Sequence, residues 1–336
     1  MREPIRVSIA IPLHNEEANV SELLRRLGEV LDTIPGGPHE IVIVDDGSRD
    51  RTLSLLEDAS RKDRRLLVVA LSRNFGHQAA LSAAFDYVSG DIVVAMDGDL
   101  QDRPEVIPDL IAKHNEGYDV VYAQRAKRKE SIWLRASYFL FYRLLASLAD
   151  IKLPLDSGDF ALLTRRVVEQ MRAAPERHRY LRGLRSWVGF RQTGLVVERD
   201  ERFAGKTNYG PIKLLKLASD GLFSFSIAPL RAAAMLGLIA IVMSFIFSGY
   251  TLYAKIFLNR TPAGFTSLML FMSFLSGVQL LFLGVVGEYV GRIYQEAKHR
   301  PLYVVRGIVR GDVGMAADAV RHRITPPVAV PRYRAS

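Results

Sequence analysis

Asp91-Ile92-Val93-Val94-Ala95-Met96, followed by Asp97-Gly98-Asp99-Leu100-Gln101-Asp102, decides the fold class of this chain. A short β-branched and apolar run that stops abruptly at acids reads as a strand buried on both faces, as in a parallel sheet. In open α/β sheets, ligands bind beyond the carboxyl ends of the strands. Three carboxylates and an amide at such an end are hard oxygen donors suited to Mg2+ or Mn2+. Asp102 reads as a cap for the next helix, with Pro104 in its first turn. Asp97 and Asp99 have no such local use.

Upstream and downstream of this stretch, strands and helices alternate. Arg6 to Ile11, Glu40 to Val44, Leu66 to Leu71 and Asp119 to Ala123 read as further strands. Helices are expected at Glu16 to Asp32, from Thr52, at Ala79 to Val88 and at Val106 to Asn115; in the first, Val20, Leu23, Leu24, Leu27 and Leu31 recur at helical spacing. Such alternation predicts an α/β fold with a doubly wound, mostly parallel sheet. Polar residues then cluster at successive strand ends: His14-Asn15-Glu16-Glu17, Asp45-Asp46-Gly47-Ser48, Ser72-Arg73-Asn74-Phe75-Gly76-His77, the acidic cluster, and Gln124-Arg125. Any one is explicable as capping; Ser48 and Asp50 would cap the second helix, Asn15 the first. Five on one rim mark a nucleotide crevice. The chain has neither GxGxxG nor GxxxxGK[ST], which excludes a dinucleotide fold and a P-loop NTPase.

The 336 residues carry a net charge of +9 and no cysteine, so disulfides, zinc-thiolate sites and thiol catalysis are excluded. The amino-terminal part shows no signal-peptide pattern and is expected to fold in the cytoplasm. A basic chain implies an anionic partner, nucleic acid or membrane lipid. Two uncharged runs, Ala232 to Tyr253 and Phe265 to Val286, favour the lipid: each is long enough to cross a hydrocarbon core of about 30 Å. They read as a transmembrane hairpin. Lys213, Lys216 and Arg231 precede it and Arg292, Lys298, Arg300 and Arg306 follow it, which places both termini in the cytoplasm. The expected organisation is a cytoplasmic catalytic domain over 1–228, the hairpin over 229–290 and a cytoplasmic tail over 291–336, disordered from Thr325. Segments 131–149 and 211–225 mix apolar residues with Arg135, Arg143, Lys213 and Lys216 and read as helices lying at the membrane interface.

Ile11-Pro12…Asn15-Glu16-Glu17, Val44-Asp45-Asp46-Gly47-Ser48-Arg49-Asp50, Arg73-Asn74-Phe75-Gly76 and the acidic cluster together resemble the family 2 glycosyltransferases of GT-A fold. Asp156-Ser157-Gly158-Asp159-Phe160, Arg202-Phe203-Ala204-Gly205-Lys206-Thr207-Asn208-Tyr209 and the hairpin narrow the resemblance to polyprenyl-phosphate glycosyltransferases, relatives of dolichol-phosphate mannose synthase and of bacterial undecaprenyl-phosphate glucosyltransferases. It runs from about Ile5 to Arg300. His14 stands where the family usually has Tyr, and Lys206 and Asn208 where many members have Glu and Lys.

The resemblance implies an inverting, metal-dependent transfer of a hexose from a nucleotide diphosphate sugar, UDP-glucose being the leading example, to polyprenyl phosphate at the cytoplasmic leaflet of the plasma membrane. It implies that Pro12, Glu16, Asp45 and Asp46 frame the base and ribose, and that Asp97, Asp99 and Gln101 hold Mg2+ or Mn2+ on the diphosphate. Asp97 then also borders the nucleotide sugar. Arg125 would clamp a phosphate, or is equally a surface arginine of the basic run 125–129. Asp159 is the resemblance's catalytic base, with Asp156 beside it, although turn or helix capping accounts for Asp156 better. A phosphate monoester has a second pKa near 6, so the acceptor is mostly dianionic at neutral pH and needs no base; Asp159 then orients rather than deprotonates. Arg135, Arg202 and Lys206 would meet the lipid phosphate. The partners expected are thus the sugar nucleotide, the lipid and the membrane, without nucleic acid, and the resemblance is compatible with a homo-oligomer. Two other readings are a processive polysaccharide synthase and a non-catalytic, membrane-tethered nucleotide-binding module. Leu184-Arg185-Ser186-Trp187 does not match the acceptor motif that the synthase requires, and the intact acidic cluster argues against the module.

Overall fold

The computed structural model describes residues 5–125, 157–177, 179–197, 228–257 and 264–311. They fall into two compact units: 5–125, 157–197 and 300–311 form one, and 228–299 the other.

The first unit is built on one sheet. Its strands are β1 (Val7–Leu13), β2 (Glu40–Asp45), β3 (Leu66–Leu71), β4 (Ile92–Ala95), β5 (Val120–Arg125), β6 (Ser157–Thr164), β7 (Gln192–Val197) and β8 (Val305–Arg310), in the order β7-β5-β6-β4-β1-β2-β3-β8. β1 pairs in parallel with β2 and β4, β2 with β3, and β5 with β7. β6 runs antiparallel between β4 and β5, and β8 runs antiparallel along the outer edge of β3. This is the mostly parallel α/β sheet of a GT-A fold. The helices are α1 (Val20–Thr33), α2 (Thr52–Lys62), α3 (His77–Tyr87), α4 (Ile107–His114), α5 (Arg165–Ala173) and α6 (Leu181–Trp187).

Every residue of β1 to β4 is buried, which is why these strands read as continuous apolar runs. Val7, Ile9 and Ile11 join one core with Leu23 and Leu27 of α1 and Leu56 of α2. Ala10, Val42 and Val44 join the other with Ala80, Ala83 and Ala84 of α3. The small side chains let α3 lie close on the sheet and hold its first residue, His77, near the strand ends. One polar group is sealed at the opposite end: the Ser8 hydroxyl donates to Glu40 Oε1 at 2.6 Å and accepts from the Gly90 amide at 2.7 Å.

The expected strands β1 to β5 and helices α1 to α4 are present with small shifts of boundary. Ser48 and Asn15 do not cap helices. The Ser48 hydroxyl accepts from the Asn15 amide at 3.0 Å, and Asn15 Oδ1 accepts from the Arg49 amide at 2.8 Å, so the two loops bind each other. Asp50 does serve α2, accepting from the Thr52 amide at 3.0 Å. Strands β6, β7 and β8 went unread in the sequence.

The second unit contains α7 (Ala228–Phe257) and α8 (Phe265–Ala297). Phe274–Ala297 is long and apolar enough to cross a membrane, by length and composition, and none of its apolar window is buried. Large apolar side chains stand exposed on both helices, among them Phe245, Ile246, Leu280 and Leu281. Phe247 of α7 stacks on Phe271 of α8, with ring centroids 6.5 Å apart.

Candidate active site

The carboxyl ends of β4, β1, β2 and β3 share one rim because these strands are parallel neighbours. A strand running the other way presents its first residues to that same rim, and β6 does so. Ala95 of β4 faces Ala161 of β6. Two residues further along this register, Asp97 and Asp159 come together. His77 Nε2 lies 3.4 Å from Asp97 Oδ1 and 3.5 Å from Asp159 Oδ2. On the other side of Asp159, Arg182 of α6 donates through Nε to Oδ1 at 2.7 Å and through Nη2 to Oδ2 at 2.9 Å. This is a two-pronged guanidinium–carboxylate pair, geometrically the most specific ion pair available.

The charges in this group are set by each other. Burial works against the Asp159 carboxylate, only 6% exposed, but Arg182 and His77 outweigh it and hold its pKa well below the usual carboxylate range. Burial likewise opposes the charge on His77, yet the hydrogen bond to Asp159 and the charges of Asp97 and Asp159 leave its pKa raised. One turn beyond Arg182, Arg185 is 3% exposed; burial lowers its pKa to about 10. Its Nη1 donates to the Gly158 carbonyl at 3.3 Å, and its guanidinium lies 5.1 Å from the centroid of the Tyr122 ring. Arg185 therefore places positive charge behind the start of β6, which carries Asp159.

His77, Asp97 and Asp159 each present a ligand atom within 4.8 Å of the others, a donor set that fits a divalent cation. It shares Asp97 with the expected Asp97, Asp99 and Gln101 and brings His77 and Asp159 beside it. Asp99 Oδ1 accepts from the Gln101 amide at 3.1 Å and so shapes the acidic turn. Within that turn Leu100 is buried at φ +59°, a left-handed conformation that a leucine adopts only under constraint. Both Asp159 oxygens are committed to Arg182; Asp97 and His77 face each other beside it, with Asp99 two residues along the chain.

A cavity of about 510 Å³ opens over β2 and β3, and Asp45 and Ser48 line it. Asp45 is 1% exposed and its pKa is pushed up by burial. Asp46 does not line that cavity. Its oxygens accept from the amides of Phe75 at 2.7 Å and Gly76 at 2.9 Å, which fastens the loop after β2 to the loop after β3. Pro12 pairs with Val44 inside the sheet, and Glu16 Oε2 accepts from Asn19 Nδ2 at 2.5 Å. Arg125 ends β5 opposite Val197. Asp156, Arg135, Arg202 and Lys206 lie outside the described residues, as do segments 131–149 and 211–225.

The sequence reading missed His77, Arg182 and Arg185. His77 closes a quoted strand-end run. Arg182 and Arg185 had one local signal, two arginines three apart beside Leu181 and Leu184 in a short helix.

Gly47 is required where the two loops meet. It has φ +64°, and a Cβ there would lie 2.5 Å from the Arg73 carbonyl carbon and 2.7 Å from the Asn74 nitrogen. A left-handed conformation costs an L-residue about 1–2 kcal/mol, and the clash is with backbone. Gly47→Ala should lower the thermal midpoint by several degrees. A melting curve like the wild type's would contradict this reading.

Residues 8–172 match the family description "Glycosyl transferase family 2". The chain is 45% identical to the uncharacterized glycosyltransferase YkcC of Bacillus subtilis, over 91% of this chain and 95% of that one. It is 44% identical to the uncharacterized glycosyltransferase sll0501 of Synechocystis, over 90% and 95%. It is 37% identical to the bactoprenol glucosyl transferase of Shigella phage SfV, over 90% and 98%. These matches place the chain among the glycosyltransferases, and it belongs to glycosyltransferase family 2.

Proposed function

We propose that this protein moves a hexose, with glucose as the leading candidate, from a UDP-sugar to a polyprenyl phosphate, inverting the anomeric centre. The observation that carries the reading is the Asp97–His77–Asp159–Arg182 group at the strand ends of a chain that resembles bactoprenol glucosyl transferases along nearly its whole length. The acceptor follows from those relatives' names and from the apolar helices, which suit a lipid substrate.

Each residue has a physical role in this scheme. Asp97, with His77 and Asp99, would hold Mg2+ or Mn2+, which would supply charge neutralisation for the departing nucleoside diphosphate. Asp159, ionised and gripped through both oxygens, is a weak base, so it orients Arg182 instead of taking a proton. Arg182 spends Nε and Nη2 on Asp159 and keeps Nη1 for the acceptor's phosphate. Arg135, Arg202 and Lys206 add positive charge along the acceptor's approach, and Arg125 on the diphosphate side. The phosphate dianion attacks the sugar carbon in line as the nucleoside diphosphate leaves, so one displacement inverts the centre. Residues 229–290 would anchor the protein as a hairpin in the plasma membrane, with the catalytic unit and both termini in the cytoplasm. Catalysis by a homo-oligomer is compatible with this arrangement.

Incubating the full-length protein with a panel of UDP- and GDP-sugars plus polyprenyl phosphate, and reading lipid products by mass, should yield one polyprenyl-phosphate hexose. Absence of any lipid-linked product across the panel would overturn the proposal. Reporter fusions after Ser336 and near Thr261 should place the first inside and the second outside; both on one side would rule out the hairpin.

A further inference from the structure

β6 and β8 are the two strands that run against the sheet, and each delivers its first residues to the rim. β6 delivers Asp159. β8 delivers Arg306, which the scheme above leaves unused. We propose that Arg306 reads the base of the donor nucleotide, donating to a ring carbonyl beside the N–H that Asp45 accepts. This rests on the nucleotide-sugar reading just given.

The first observation is a bulge. Leu67 to Ala70 face Arg310 to Gly307 one for one, but Leu71 faces Val305, so Arg306 is the extra residue. A bulge takes a side chain out of the regular alternation and re-aims it, a device common beside active sites. Arg306 lines the cavity of about 510 Å³ together with Asp45, Ser48 and Arg73. Its guanidinium makes no hydrogen bond or ion pair among the described residues. Arg73, by contrast, lies 4.2 Å from the centroid of the Phe75 ring and donates through Nη1 to the Asn74 carbonyl at 3.2 Å.

The second observation is Asp45, the one acid among the described residues lining this cavity. Its Oδ2 accepts from the Ser48 amide at 3.2 Å. Its Oδ1 is buried without a hydrogen-bond partner among the described residues. A buried acceptor left unmade is costly, so the site is built for a ligand that brings an N–H.

Position then selects the part of the ligand. Neighbouring strands lie about 4.8 Å apart, so β8, four strands from β4, is roughly 19 Å from the acidic turn. Phosphates held at Asp97 do not extend that far. The end of the donor lying over β2 and β3 is the base. A carboxylate beside a guanidinium matches an edge where a ring N–H adjoins a carbonyl, as in uracil and guanine. Cytosine and adenine present an unprotonated ring nitrogen there, which would face the Asp45 oxygen lone pair to lone pair. Arg306 adds to this at the adjoining group, where uracil and guanine offer a carbonyl and cytosine and adenine an amino group, so the pair makes the site selective for UDP or GDP over CDP and ADP.

The test uses the full-length protein in detergent and measures binding of UDP, GDP, CDP and ADP by calorimetry. Wild type should bind UDP or GDP at least about tenfold tighter than CDP and ADP. Arg306→Ala should weaken the favoured nucleotide about tenfold and narrow that ratio. In turnover it should raise the donor KM and leave kcat and the acceptor KM near wild type. Arg310→Ala, exposed on the same strand and outside the cavity, should bind like wild type, which shows that β8 remains docked. Wild-type affinity in Arg306→Ala, equal losses in both variants, or wild type that binds nucleotides without discrimination would each overturn the inference while leaving the transferase reading in place. Wild type that binds none of the four would overturn the donor reading itself, and this inference with it.

Discussion

Asp159→Asn is expected to lose turnover by about 10²–10³-fold with little change in donor KM. The substitution removes the charge that Arg182 grips at 2.7 and 2.9 Å, and an amide offers a donor where Arg182 needs a second acceptor. Arg182→Lys keeps the charge but loses the fork, so it should be impaired as well. The pH profile separates orientation from proton abstraction. The Asp159 pKa is depressed, so whatever stability the pair contributes is present above the unfolded carboxylate value of about 3.9 and is lost only as pH falls below it. Between pH 5 and 8 Asp159 stays ionised. The acidic limb of the rate should instead follow the acceptor's second ionisation near pH 6 and move with an acceptor of lower phosphate pKa. An unmoved limb that vanishes in Asp159→Asn would restore Asp159 as the general base.

Metal removal should have the other large effect. EDTA is expected to silence transfer, and Mg2+ or Mn2+ to restore it, while Asp97→Ala and Asp99→Ala stay folded but inactive. The structure adds a sharper test, because His77 would contribute a nitrogen to a donor set read from the sequence as all oxygen. Imidazole favours Mn2+ over Mg2+ relative to carboxylates. His77→Ala should therefore weaken Mn2+ binding, measured directly by paramagnetic broadening, more than Mg2+ binding measured by calorimetry. Full activity in EDTA would sink the metal assignment. Equal losses for the two ions would remove His77 from it.

β8 changes what the carboxyl-terminal region does. Read from the sequence, 291–336 was a tail following a hairpin. In the structure, Val305–Arg310 covers the exposed edge of β3, and Ser60 of α2 reaches it by donating to Val309. A strand edge left bare invites pairing with other chains. Truncation before Pro229 would remove that cover along with Arg306, so the shortened chain is expected to aggregate and to bind nucleotide poorly.

How far the site was legible depends on which forces write it. β1 to β4 are recognisable because a strand buried on both faces must be apolar throughout, and the polar residues that follow each run mark the rim. Asp45, Asp97 and Asp99 could be singled out on that ground alone, and family resemblance added Asp159. His77 was visible only as one more polar residue after β3. Nothing near Arg182 announces a partner in β6, because an ion pair between a helix and a distant strand leaves no periodic trace.

The sequence by itself determined the α/β class, the strand–helix alternation, the acidic rim and the long apolar helices, since each is encoded in local pattern and composition. Tertiary structure alone decided which strands run backwards, and with them which residues the candidate site brings together. Register brings Asp159 to Asp97 across β6 and β4, and an edge bulge turns Arg306 toward Asp45's cavity. Both follow from pairing between segments far apart in the chain, and hydrophobic periodicity shows that a strand is buried without naming the neighbour that buries it.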